Sequence, residues 1–177
     1  MLKILMNFPE KLVDAVDYLS GIVTISENHE DGRVNSITDE DTVIDLLIKK
    51  YGSENAQKPP ARCWWDVKLF GYPINIKSSD FAKGASDNFS SKAALLYALT
   101  NLPEDKVNVT SWGKFQDALR NNSGAENNRD YYIIAVDKGT RKVYLQSLKS
   151  LSKLTPNGNN LPFQIKWKDN LQPVQRT

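Results

Sequence analysis

The sequence predicts an α/β fold in which a mixed β-sheet is flanked by helices. Two observations lead there. Segments of helical and of alternating periodicity interleave along the chain, in the order helix, helix, hairpin, helix, helix, hairpin, short helix, strand. Strict alternation of single strands with helices is absent, so the sheet is not a simple parallel one. The length, 177 residues, suits a single domain, with residues 168–177 read as a loose C-terminal tail.

Composition narrows the chemistry. Hydrophobic residues make up 40% and charged residues 25% of the chain, which is ordinary for a globular protein. Lys and Arg number 23 against 21 Asp and Glu, a formal net charge of +2, which excludes a histone-like polycation and an acidic disordered tail. A single cysteine, Cys63, excludes an intramolecular disulfide and a Cys-rich zinc site; it is expected to be a buried thiol. A single histidine, His29, excludes His-pair metal chemistry. Any catalytic metal must therefore be held by oxygen ligands, which selects a hard cation such as Mg2+. The apolar run of residues 1–8 is closed at once by Pro9, Glu10 and Lys11, too short for a secretory segment. The expectation is a soluble, cytoplasmic protein with no membrane partner.

Taken in order, Pro9 to Leu19 suits a helix, with Leu12, Val13, Val16 and Leu19 at helical spacing. A short apolar stretch, Ile22 to Ile25, precedes a polar run. Thr38 can cap a second helix with acids in its first turn, a stripe of Ile44, Leu47 and Ile48, and Gly52 as its stop. Ser53 to Arg62, with Pro59-Pro60, is expected to be a loop. Trp64 to Phe70 and Pro73 to Ser78 alternate around Gly71-Tyr72, which is hairpin chemistry. Helices are expected over 90–100 and 111–120. Strands follow at 131–136 and 142–146, joined around Lys138-Gly139. Leu148, Leu151 and Leu154 suggest a short helix, residues 155–160 a polar loop, and 161–167 a last strand.

With Gly71-Tyr72 as the turn, or within a four-residue loop, Lys68 opposes Asn75 and Asp66 opposes Lys77. Val67, Leu69, Ile74 and Ile76 then share one face. Asp66, Lys68, Asn75 and Lys77 share the other, with Cβ atoms roughly 5 Å apart across the ladder. The simplest account is a solvated face with a cross-strand ion pair. Against it, Trp64 and Phe70 fall on the polar face, and helices on both sides in sequence imply that both faces are covered. A covered Asp and Lys need partners, which a cation and a phosphate supply.

Asp66, followed after eight residues by Asn75-Ile76-Lys77, resembles the core of the PD-(D/E)XK nucleases, the scaffold of many type II restriction endonucleases. The segments Asp87-Asn88-Phe89-Ser90-Ser91-Lys92 and Leu154 to Trp167 are similar to stretches of restriction-endonuclease-like proteins. The resemblance implies an α/β/α core, an acid at Asp66 and a catalytic lysine at Lys77. It departs from the pattern at Asn75, which stands where the second acid belongs, and at Trp65, which replaces the usual proline. Asp66, the Ile76 carbonyl and a helix acid are then the implied ligands of Mg2+. Glu40 is the candidate for that acid, because it shares the inward stripe of its helix; Glu27 and Glu30 are alternatives.

For such an enzyme the implied substrate is double-stranded DNA, cut by a homodimer within a restriction-modification function. Arg33 and Asn35 lie in a polar run beside Glu40. Asn88, Ser90, Ser91 and Lys92 stand at an expected helix start, suited to phosphate. Asn157, Asn159 and Asn160 crowd a further loop. Two other readings remain: a catalytically silent DNA-binding or interaction module on the same scaffold, and an unrelated α/β protein whose Asp66 and Lys77 only pair.

Overall fold

The computed structural model describes residues 8–27, 40–61, 63, 65–84, 86–88, 113–114, 117–118, 121, 130–153, 155–156 and 163–171. Among these residues two α-helices, α1 (Glu10–Glu27) and α2 (Glu40–Tyr51), accompany eight strands. The strands are β1 (Ala56–Gln57), β2 (Val67–Leu69), β3 (Tyr72–Ser79), β4 (Ser86–Asn88), β5 (Tyr132–Asp137), β6 (Val143–Ser147), β7 (Thr155–Pro156) and β8 (Phe163–Lys166). A five-stranded mixed sheet has the order β1-β2-β3-β5-β6, and a second sheet has the order β4-β8-β7. The expected mixed α/β arrangement is therefore present. Strand β3 pairs antiparallel with β2 and parallel with β5, which pairs antiparallel with β6.

The parallel step needs a long crossover, provided by the chain between Ser79 and Tyr132. Gly113, Lys114, Asp117, Ala118 and Asn121 in that stretch are helical, at or beside the helix expected over 111–120. The helix expected over 90–100 lies outside the described residues.

Helix α1 buries Leu12, Ala15, Val16 and Leu19, spaced i, i+3, i+4, i+7. It runs eight residues past Leu19 and takes up the apolar stretch 22–25. Helix α2 buries Val43 and Leu47, while Ile44 and Ile48 are half-buried, so its stripe is turned one position from the expected one. Gly52 ends it in the left-handed region at φ 83°, its N–H bonded to the Ile48 carbonyl at 2.8 Å. These side chains pack with Val67, Leu69, Ile74, Ile76, Tyr132, Ile134 and Val136. Both helices thus cover the same face of the large sheet.

Several expectations are corrected. The loop expected over 53–62 contains strand β1, in which Ala56 is buried and pairs with Leu69; two residues are too few to show a period. The short helix near 148 is a single 3-10 turn, Leu148–Ser150, and β7 occupies the start of the expected loop at 155. Strand β4, in a polar stretch, pairs with β8 and carries no hydrophobic alternation. In the expected tail, the Asn170 side chain donates to the Lys153 and Lys166 carbonyls and accepts from the Lys153 N–H. The backbone carbonyl of Asn170 accepts from the Gln146 side-chain amide, and Trp167 is wholly buried. Residues 167–170 are therefore docked, held by a polar network that apolar periodicity cannot reveal.

The hairpin register also differs. Leu69 pairs with Tyr72, Lys68 with Pro73 and Val67 with Ile74, so Phe70 and Gly71 form the two-residue turn. Both have positive φ, 51° and 84°, as a type I′ turn requires. Phe70 is drawn into the turn by its contacts: its N–H bonds to the Asn55 carbonyl at 2.7 Å, and its ring meets Tyr51 edge-on and lies under the Lys11 ammonium. Phe70 therefore packs with the helix side, and not on the polar face. The pairing has moved by two residues, an even number, so the assignment of residues to faces survives.

Gly71→Val should destabilise the fold by about 1–2 kcal/mol, the cost of a branched side chain in the left-handed region. Ile74→Ala, which empties a fully buried site, should cost about 2–5 kcal/mol. Urea denaturation followed by circular dichroism measures both. A loss for Gly71→Val no greater than for an exposed surface substitution would contradict the turn assignment.

Candidate active site

Strand alternation places Pro73, Asn75 and Lys77 of β3 on the face opposite the helices. The parallel register sets Asn75 beside Ile133 and Lys77 beside Ala135. Tyr131, two residues before Ile133, therefore joins the same face. Ile133 and Ala135 are fully buried, so this face is covered, as expected.

Asp66 stands just beyond the last paired residue of β2. Its N–H bonds to the Ile74 carbonyl at 2.9 Å, and its carboxylate Oδ2 accepts the Ile76 N–H at 2.7 Å. The carboxylate is thus fixed against β3 between Asn75 and Lys77. Burial raises its proton affinity above the ordinary carboxylate value; the Ile76 hydrogen bond and the Lys77 charge work against that rise, and the Asp41 charge adds to it. Asp66 and Lys77 are therefore close, as the sequence implied, although β2 and β3 do not pair them directly.

Asn75 is only 5% exposed. Its Nδ2 donates to the Tyr131 hydroxyl at 2.9 Å, while its Oδ1 is buried with no hydrogen-bond partner among the described residues. An unmatched buried acceptor costs on the order of 1–3 kcal/mol, so this oxygen calls for a donor or a cation. The Tyr131 phenol is buried and strongly held in its neutral form, first by desolvation, then by the nearby Asp66 and Cys63. Cys63 itself is half-buried, more open than expected. Lys68, on the same face, lies over the Trp65 ring at 5.1 Å.

The remaining candidates are less closely joined. Glu40 is the first residue of α2 and is exposed. Its neighbour Asp41, also exposed, is the first-turn acid whose charge acts on Asp66. Among the described residues no three Asp, Glu, His or Cys side chains come together as a metal-binding group. Glu27 ends α1, and Asn88 lies on β4 opposite Gln164. Glu30, Arg33, Asn35, Trp64, Ser90, Ser91, Lys92, Asn157, Asn159 and Asn160 lie outside the described residues. Among the described residues no helix is long and apolar enough to cross a membrane.

Tyr131 and Asp130 were missed in the sequence. The available signal was parity, since Tyr131, Ile133 and Ala135 alternate, but using it requires knowing that β5 lies beside β3. Asp130 accepts the Tyr131 N–H at 2.7 Å and the Lys149 N–H at 3.4 Å, anchoring the start of β5 and hence the phenol. Burial pushes its carboxyl up to about 6, against hydrogen bonds from Ser147, Tyr131 and Lys149 and the Lys149 charge, which hold it down.

No protein-family model matches the chain, and no curated protein is significantly similar to it.

A carboxyl that binds its proton more tightly folded than unfolded makes the folded state the greater proton carrier between pH 4 and 6. Its contribution is present at low pH and is lost as pH rises through about 6. Stability should therefore gain on acidification from pH 7 to 5 by about 1 kcal/mol from this group, the worth of roughly one pKa unit. Asp130→Asn should remove that gain while keeping an acceptor for the Tyr131 N–H. Urea midpoints at pH 5 and 7 for both proteins test it, and an unchanged pH dependence in the variant would refute it.

Proposed function

We propose that this protein is a type II restriction endonuclease, hydrolysing phosphodiester bonds of double-stranded DNA at specific sites with Mg2+, as a homodimer. The observation that carries the reading is one covered sheet face. It carries a half-buried Asp66 carboxylate held by the Ile76 N–H and acted on by the Lys77 charge, and Asn75 with an unmatched buried oxygen. A hard cation suits this donor set, since an orphaned amide oxygen beside a carboxylate accepts a cation and repels a phosphate oxygen.

Asp66 and Asn75 Oδ1 would hold the cation, with the Ile76 carbonyl and a first-turn acid of α2, Glu40 or Asp41, as further oxygen ligands. Bound there, Mg2+ supplies Lewis-acid polarisation of the phosphate and a more acidic water. Asp66 keeps its carboxylate aimed by the Ile76 N–H and presents its other oxygen to the site. Lys77 orients the attacking water and counters the charge that develops on the phosphoryl oxygens. Arg33, Asn35, Asn88, Ser91 and Lys92 remain the proposed DNA contacts.

A second reading is favoured by a specific observation. With Asn75 in the second acidic position and no three-acid group among the described residues, the site carries less negative charge than a strong metal centre. A catalytically silent DNA-binding module on the same scaffold fits that deficit.

Incubation of the purified protein with long DNA and Mg2+, with EDTA as control, separates the two. Discrete fragments are expected, and a gel shift without cleavage would select the silent module. Lys77→Ala should abolish cleavage, a fall of at least about a hundredfold, and leave DNA binding intact. Undiminished cleavage by that variant would overturn the assignment of Lys77.

A further inference from the structure

We propose that the turn between β5 and β6 is a clamp for the phosphate backbone of DNA, with Lys138, Arg141 and Lys142 as its contacts. The inference rests on the DNA-binding reading above, in either of its forms, and adds a surface to it. Residues 138–142, Lys-Gly-Thr-Arg-Lys, place three cations in five positions. Lys138 and Lys142 are exposed and Arg141 is half-buried. Among the described residues none of the three forms an ion pair. The neighbouring acids are engaged elsewhere. Asp137 is only 4% exposed; its Oδ1 accepts the Phe81 and Gly139 N–H groups and its Oδ2 the Thr140 hydroxyl. Asp80, whose carboxylate lies against Gly139, pairs with Lys83 at 3.6 Å. The buried carboxylate thus organises the turn from inside, and the cations face outward.

The backbone holds these cations in place. The Lys138 N–H bonds to the Ser79 carbonyl at 2.9 Å, the Arg141 N–H to the Asp137 carbonyl at 2.7 Å and the Asp137 N–H to the Lys142 carbonyl at 2.9 Å. Arg141 is kept at φ 60°, a left-handed conformation that L side chains rarely adopt. Such strain persists where the surrounding structure over-determines it, and it concentrates at binding sites. Position supplies the link to the candidate active site. Lys77 pairs with Ala135 and Ser79 with Asp137, so the turn begins roughly 7 Å beyond Lys77 along the sheet. Each strand of a duplex carries one phosphate per about 3.4 Å of helix axis. A strand with one phosphate at Lys77 therefore brings its next phosphates over the turn. The five residues include no large apolar side chain, which a lipid surface or a protein partner would engage. Cations alone suit phosphate contacts, which carry no sequence information.

Binding of a labelled DNA duplex in EDTA, followed by fluorescence anisotropy between about 50 and 200 mM KCl, tests the clamp. One variant is Lys138→Gln/Arg141→Asn/Lys142→Gln, in which Asn tolerates the left-handed conformation. A control that loses the same charge is Lys49→Gln/Lys153→Gln/Lys168→Gln, at exposed positions elsewhere. The slope of log affinity against log salt should become shallower by about 2–3 in the turn variant, at roughly 0.9 per phosphate contact, and equally on unrelated sequences. In the control it should change by less than about 1. Lys138→Gln alone, which leaves the Arg141 backbone untouched, should make it shallower by about 1. An unchanged slope in the turn variants, with the wild type binding DNA, would overturn the clamp and leave the reading above in place. An equal change in the control would reduce the effect to net charge and overturn the clamp as well. A wild type that binds no DNA would overturn both the clamp and the reading on which it rests.

Discussion

The hydrogen bond from the Ile76 N–H to the Asp66 carboxylate joins the packing of the sheet to the chemistry of its polar face. The backbone bonds between β2 and β3 end with the Asp66 N–H on the Ile74 carbonyl, and the Asp66 side chain continues the ladder one step further. A backbone donor that would otherwise be unmatched is satisfied, and in return the carboxylate is held in one place. Because Ile74 and Ile76 are locked into the helix-covered core, Asn75 and Lys77 have no freedom to leave the opposite face. The arrangement of the site is thus a by-product of the arrangement of the core.

The electrostatics of that face follow from burial. A half-buried carboxylate next to an ammonium would ordinarily be held in its charged form, but here desolvation outweighs both Lys77 and the Ile76 hydrogen bond. Asn75 adds an oxygen without adding charge, which spares the face a second buried anion. Tyr131 completes this economy of charge, because it engages the amide without ionising. The named groups of this face are one carboxylate against two ammonium groups, the balance on which the proposed nuclease and its silent alternative differ.

The hairpin shows how a register can be misplaced while its consequences stand. The sequence marks Gly71 as a turn residue, but its partner with positive φ is Phe70, not Tyr72. An aromatic residue is an unexpected choice for that conformation; it is retained because its ring packs on Tyr51 and Lys11 and its N–H is taken by Asn55. Those contacts come from α1, α2 and the residue before β1, all outside the turn itself. In the same way, the polar network around Asn170 docks a segment whose composition suggests a loose end.

The local pattern of the chain alone determined the mixed α/β class, the two helices, the alternation of β3 and therefore the common face of Asp66, Asn75 and Lys77. These depend on periods of two and 3.6 residues, which are written in adjacent positions. Tertiary structure alone decided that β5 lies parallel beside β3, and with it that Tyr131 reaches Asn75 from 56 residues away. It also decided that Asp41 acts on Asp66, and that the Asn75 oxygen is left without a partner among the described residues. Each of these depends on which strand neighbours which and on how burial shifts a proton or strands an acceptor. No spacing within a single segment encodes that information.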